Sequence, residues 1–239
     1  MINGGQTDLF RYEKKYLISQ IQEETFRMKI ASVCDMDPYA GNAGRYRIRS
    51  LYFDDYTDSS YQANEMGTEP RSKWRIRTYD HNTRMIRLEQ KIKMGGKIHK
   101  DSAQISEALC FDLLHDANHV DYPTDNKVLN RFLTDCFTKN LCPKIIVEYD
   151  REPYVYDAGD VRITFDSEVS FSDQVDRFFE KDIFLYPVFG LGKLLLEVKY
   201  TEFLPGILHS LLDGGDLQQT TFSKYYLARK WGCLSYDII

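Results

Sequence analysis

The stretch LLLEVKY, residues 194–200, constrains the fold of this chain more than any other. Its apolar content marks a central, buried strand. Read with the period of two that a strand imposes, however, it puts Glu197 and Lys199 on one face, against Leu194, Leu196 and Val198 on the other. Charges on a buried strand require partners or a charged ligand. The same alternation recurs along the chain. Residues 10–18 (FRYEKKYLI) put Arg11, Glu13 and Lys15 on one face, and RYRIRSLYF (45–53) does so with Arg45, Arg47 and Arg49. KWRIRTYD (73–80) aligns Lys73, Arg75 and Arg77 opposite Trp74, Ile76 and Thr78. RMIRLEQKIK (84–93) aligns Arg87, Glu89, Lys91 and Lys93 opposite Ile86, Leu88 and Ile92, and VRITFD (161–166) contributes Arg162 and Asp166.

Open sheets use lysines on edge strands to prevent aggregation, but they have no need of arginines on nearly every strand. Closing a sheet of about eight strands makes a barrel whose interior holds side chains or one small ligand. An interior lined by Arg and Lys and punctuated by Glu suits a polyanion carrying a divalent metal. Guanidinium forks match phosphate oxygens, ammonium groups supply point charge, and carboxylates hold Mg²⁺ or Mn²⁺ against the phosphates.

Helical patterns lie between the strands. Ser19 followed by Gln22 forms a capping box that opens a helix to about Ala31. Further helices are expected at 58–66, 106–116, 125–139, 204–212 (ended by Gly214 and Gly215) and 222–231, with further strands at 144–151, 154–157 and 183–186. HNT (81–83) makes 72–93 a hairpin, and Gly95-Gly96 reads as a turn rather than a phosphate-binding loop. No repeat or proline-rich linker divides the 239 residues. The expectation is one α+β domain over 1–239: a closed, mostly antiparallel eight-stranded β tunnel with flanking helices.

No apolar run approaches the roughly 20 residues a membrane span needs, and the N-terminus MINGGQTDLFRYEKK lacks a signal-peptide core, so a cytoplasmic protein is expected. The five cysteines contain no Cys-x-x-Cys pair, which points away from a disulfide framework or zinc ribbon. His115 and His119 lie four apart, a spacing that on a helix allows chelation, but no third ligand is near. A net charge of −5 and a pI near 5.6 argue against a nucleic-acid binder. The sequence carries no signal for oligomeric state or for a membrane-protein partner.

The ordered motifs RYEKKYLI, SLYFD, KWRIRTYD, RLEQKIK, EYDREPYV, VRITFD, LLEVKY and FSKYYLAR resemble the triphosphate tunnel metalloenzymes. Within them, they resemble the polyphosphate polymerase domain of the vacuolar transporter chaperone (VTC) complex in a stand-alone form, from Arg11 to about Trp231. The resemblance implies a closed tunnel that transfers the γ-phosphate of ATP to a growing inorganic polyphosphate chain with Mn²⁺ or Mg²⁺. Carried over motif by motif, it implies catalytic roles for Lys15, Arg75, Arg77, Lys91, Arg151 and Arg162. Arg49, Glu89, Lys199, Ser223 and Lys224 would bind substrate, and Glu197 with Glu13 would hold the metal. Two positions depart from the pattern. The wider superfamily's first strand has Glu-x-Glu-x-Lys where this chain has Arg11-Tyr12-Glu13-Lys14-Lys15, and Thr221 stands where a eukaryotic polymerase has a further lysine. A triphosphatase of the same fold and a non-enzymatic nucleotide or polyphosphate binder are the alternatives. Binding of triphosphorylated RNA is a weaker one.

Overall fold

A computed structural model describes residues 10–115, 117, 120–190, 192–213 and 217–236, without the side chains of 233–236. His119, Gly214, Gly215 and the side chain of Cys233 therefore lie outside the described residues. The strands are β1 (Tyr12–Ser19), β2 (Asp35–Met36), β3 (Tyr46–Asp54), β4 (Arg71–Tyr79), β5 (Ile86–Met94), β6 (Lys97–Ile105), β7 (Cys142–Tyr156), β8 (Val161–Ser172), β9 (Tyr186–Pro187) and β10 (Lys193–Tyr200). The helices are α1 (Gln20–Ala31), α2 (Ser59–Glu65), α3 (Glu107–His115), α4 (Lys127–Lys139), α5 (Gly206–Asp213) and α6 (Lys224–Tyr236).

The main strands run in the order β1-β10-β8-β7-β3-β4-β5-β6, every pairing antiparallel. The two ends of that order meet at Arg11 and Ile98, which exchange both backbone hydrogen bonds at 2.8 Å. The eight-stranded sheet therefore curls until its first and last strands touch, as the repeated cationic faces predict.

The outward faces carry the apolar residues and explain the helices. Phe26 and Ile30 of α1 and Leu208 and Leu212 of α5 pack with Ile18, Ile163, Phe165, Leu196 and Val198. Ser19 caps α1 by the reciprocal box its sequence spells, with Gln22 as the partner. Phe132 and Leu133 of α4 cover Leu51, Phe53, Trp74, Ile76 and Leu88, and the Trp74 indole N–H donates to Asp135 at 2.8 Å. The last helix is placed differently. Tyr225 and Ala228 of α6 pack with Ile145, Val147 and Leu195, on the inner face of the sheet. Helix α6 thus fills part of the interior, and its first residue, Lys224, faces the remaining space.

Two expectations about these elements need correction. The strand β6, KIHKDSAQI, has too few apolar residues to be read as a strand, yet it pairs with β5 along its whole length. Gly95 and Gly96 form the turn between them, with φ of 58° and 75°. The separate strands expected at 144–151 and 154–157 are one continuous strand, β7, because Pro153 sits at a position that still pairs with Thr164.

Candidate active site in the tunnel

The interior opens at two mouths. One cavity, of about 370 Å³, is lined by Lys15, Asn64, Arg71, Lys73, Lys93 and the segment Gln219–Tyr225; the other, of about 760 Å³, by Tyr12, Tyr39, Tyr46, Tyr79, Lys100 and Arg162. Both are lined by Glu13, Arg75, Arg77, Lys91, Arg151 and Lys199, so they are two halves of one passage meeting at a charged waist.

Strand register builds that waist. Glu13 lies opposite Lys199 and Lys15 opposite Glu197 on the β1–β10 pair; Lys73 lies opposite Lys91 and Arg75 opposite Glu89 on β4–β5. Glu13 takes Lys91 at 3.0 Å, Lys15 at 3.4 Å and Lys199 at 3.5 Å. Glu197 takes Lys199 and Lys224 at 3.0 Å, Arg151 at 3.4 Å and Lys15 at 3.6 Å. Beneath the surface, Asp166 holds Arg151 at 2.7 Å and Lys224 at 2.5 Å. The fully buried Glu89 holds Arg75 at 2.6 Å, Lys100 at 2.8 Å and Arg77 at 3.7 Å.

Charge neutralisation is incomplete. Carboxylates are outnumbered by the ammonium and guanidinium groups that converge on them, in a chain whose overall charge is −5. Burial alone would raise the Glu89 and Glu197 carboxyls, but their cationic neighbours hold both well below the usual range. The ammonium groups show the opposite strain. Burial, with Lys15 and Lys199 nearby, pushes Lys91 down to about 7 despite its pairing with Glu13. Burial lowers Lys199 too, against the pull of Glu197. Lys73 is pushed well below the ordinary lysine range by burial and by Lys91, Lys15 and Arg71. Removing like charges from water and crowding them is unfavourable unless an anion joins them. The waist is arranged to receive several negatively charged oxygens at once.

The structure brings together Lys15, Arg75, Arg77, Lys91, Arg151, Lys199, Glu13, Glu197, Ser223 and Lys224 around the passage, and puts Glu89 directly behind its arginines. Arg162 lies nearer the tyrosine-lined mouth, bonded to the Tyr46 hydroxyl at 2.9 Å and to Asp37 at 2.7 Å. Arg49 is not brought in. It is 1% exposed on the outer face, donating to Glu148 at 2.5 Å and to the carbonyls of Phe178 and Glu180. The reason is parity: Arg49 shares its face with Leu51 and Phe53, which belong to the core under α4, so Tyr46, Ser50 and Tyr52 turn inward instead. Sequence reasoning passed over Lys73 as a site residue, although its alternation with Arg75 and Arg77 was the signal that would have found it.

The fold and the waist define a class: a curled antiparallel tunnel with a cationic, carboxylate-studded interior. The model of the VTC domain family matches residues 10–231, and the chain belongs to that family. This is the family that the ordered motifs resemble. A Bacillus halodurans protein put forward as an adenylate cyclase shares the fold at 15% identity and a TM-score of 0.52, covering 89% of this chain and 95% of its own. A Pyrococcus horikoshii protein aligns at 16% identity and a TM-score of 0.47, covering 91% of this chain and 97% of its own. No curated protein matches the chain by sequence. Among the described residues, no helix is long and apolar enough to cross a membrane.

Proposed function

We propose that this chain is a polyphosphate polymerase that transfers the γ-phosphate of ATP to the end of an inorganic polyphosphate chain. The observation that carries the proposal is the waist shared by the two cavities, where Arg75, Arg77, Lys91 and Arg151 converge beside Glu13 and Glu197. Phosphoryl transfer needs in-line positioning and charge neutralisation rather than a protein nucleophile. A passage open at both ends admits a donor from one side and an acceptor from the other.

In this reading, the triphosphate of ATP lies between Arg75, Arg77, Lys91 and Arg151, with Lys15 and Lys224 alongside. Arginine forks grip the phosphate oxygens, and Glu89 and Asp166 hold those forks in place from behind. A terminal oxygen of the chain bonds to the γ-phosphorus as the bond from that phosphorus to the β–γ bridging oxygen breaks. The electron pair leaves on the β-phosphate of ADP, and the cations neutralise the charge that develops there.

The residues fit a divalent cation shared with substrate. Among the described residues, no group of three or more His, Cys, Asp or Glu side chains stands ready to hold one. Glu13 and Glu197 supply one or two carboxylates, as Mg²⁺ and Mn²⁺ sites completed by phosphate oxygens require. When bound there, the ion would neutralise phosphate charge as a Lewis acid.

The test is to incubate the purified protein with ATP and Mn²⁺ or Mg²⁺, with and without a short polyphosphate primer. ADP, free phosphate and chain length are followed together. The proposal expects ADP and lengthening chains, with Lys91→Ala and Glu197→Gln each lowering the rate about 100-fold or more. ATP cleaved to free phosphate without chain growth would make the protein a triphosphatase, the reading in which water replaces the chain. ATP bound but not consumed would leave a nucleotide or polyphosphate binder.

A further inference from the structure

Lys15, Arg75, Arg77, Lys91, Arg151, Lys199 and Lys224 each have a carboxylate at 2.5–3.7 Å. Lys73 is different. Its ammonium donates to two neutral oxygens, Asn64 Oδ1 at 2.7 Å and Ser223 Oγ at 2.9 Å, and lies 5.2 Å from the ring of Tyr225. These contacts aim the group without neutralising it. Ser223 is itself fixed by the first turn of α6, whose Tyr226 N–H donates to its hydroxyl oxygen.

Lys73 lines only one of the two half-passages. Arg71 and Lys93 share that mouth, and its aromatic rings, Tyr52, Tyr149, Phe222 and Tyr225, are all buried, whereas the opposite mouth, which has cations of its own in Arg87, Lys100 and Arg162, presents Tyr39 at 86% exposure. An exposed aromatic face such as that of Tyr39 suits a nucleoside, which stacks. A bare phosphate chain has nothing to stack and gains only from cations. Lys73 and Arg75 are two residues apart on one face of β4, about 7 Å along the strand, so a linear phosphate chain reaching the waist passes Lys73 without any element moving.

From this juxtaposition we infer that Lys73, held by Asn64 and Ser223, is the binding group for the acceptor end of the polyphosphate chain, distinct from the site of the donor nucleotide. The inference rests on the polymerase reading for the word acceptor, and on geometry alone for the binding of a linear polyphosphate. An incoming phosphate would supply the negative partner that the lysine lacks and relieve its depressed basicity.

The test uses the full chain, Lys73→Met and Lys73→Arg. With Mn²⁺, KM is measured for a short linear polyphosphate at saturating ATP, then for ATP at saturating polyphosphate. Lys73→Met is expected to raise the polyphosphate KM about tenfold or more and the ATP KM by less than about threefold, with Lys73→Arg restoring most of the loss. Equal rises in both constants, or no rise in either, would overturn the inference. A second arm needs no turnover: calorimetry of polyphosphate binding to protein preloaded with Mg²⁺ and a non-hydrolysable ATP analogue. If the wild type turns over nothing, the polymerase reading falls, but this arm still decides. Weaker polyphosphate binding in Lys73→Met supports the subsite, and equal binding, or none in the wild type, removes it.

Discussion

Single residues carry the electrostatic tension of this protein, and Lys73 carries the clearest case. Its pKa is depressed by burial and by Lys91, Lys15 and Arg71, with Asp54 acting in the other direction. A lysine whose folded pKa lies below its unfolded value of about 10.5 is a penalty to folding. The penalty is fully present below the folded pKa and is lost as pH rises toward 10.5, because the unfolded chain binds the extra proton. Lys73→Met should therefore be more stable than the wild type at neutral pH without ligand, by about 1–2 kcal/mol, and the gap should close as pH approaches 10. Urea midpoints at pH 7 and pH 10 measure this; a gap that widens with pH contradicts the assignment. At this scale, legibility followed face parity. Arg75 and Glu197 were readable because apolar neighbours at i±1 fix their face, and Lys91 because Ile92 does so on one side. Arg49 misled because its strand has aromatic and apolar residues on both faces, so nothing nearby says that Leu51 and Phe53, and not Tyr46 and Tyr52, belong to the core under α4.

Between elements, the decisive joint is the one that seats α6. The Asp54 carboxylate, at the end of β3, accepts from the backbone N–H groups of Ser60 and Tyr61 in α2 and from the Tyr225 hydroxyl in α6. It is fully buried, and α6 begins with Lys224 and follows Ser223. Asp54→Ala should cost about 3 kcal/mol, since it leaves the buried Asp55 N–H, two part-buried N–H groups and a buried hydroxyl unmatched. It should also weaken tripolyphosphate binding, because the helix that presents Lys224 loses its anchor. An unchanged urea midpoint would show that α6 is seated by its apolar face alone. A second joint is Gly159, at φ 81°, where an added Cβ would come within 2.5 Å of the Phe203 carbonyl oxygen. Gly159→Ala is expected to lower stability by about 2 kcal/mol through that clash and the left-handed backbone, read as a lower Tm. The strands β4, β5 and β10 and the capped helix α1 were legible from local pattern. The strand β6 was not, because its pairing comes from β5 across a two-glycine turn and not from its own residues. That α6 sits inside the barrel was also not legible: an amphipathic helix announces one apolar face, not which side of a sheet receives it.

For the molecule as a whole, the curled sheet separates charge by sign, with a cationic passage inside a chain of net charge −5. Polyphosphate held by several cations at once should bind with a steep salt dependence, whereas Tm without ligand should respond weakly, because buried pairs are poorly screened. Calorimetric titration across a salt series measures the first, and a flat series would show that the chain is not held by several cations at once. Whether the waist holds a triphosphate with a metal at Glu197 is decided by a crystal structure with tripolyphosphate and Mn²⁺. Phosphates are expected between Arg75, Arg77, Lys91 and Arg151, with an anomalous manganese peak beside the Glu197 carboxylate. Phosphates bound only on the outer surface, or a filled passage whose manganese lies away from both Glu197 and Glu13, would contradict it.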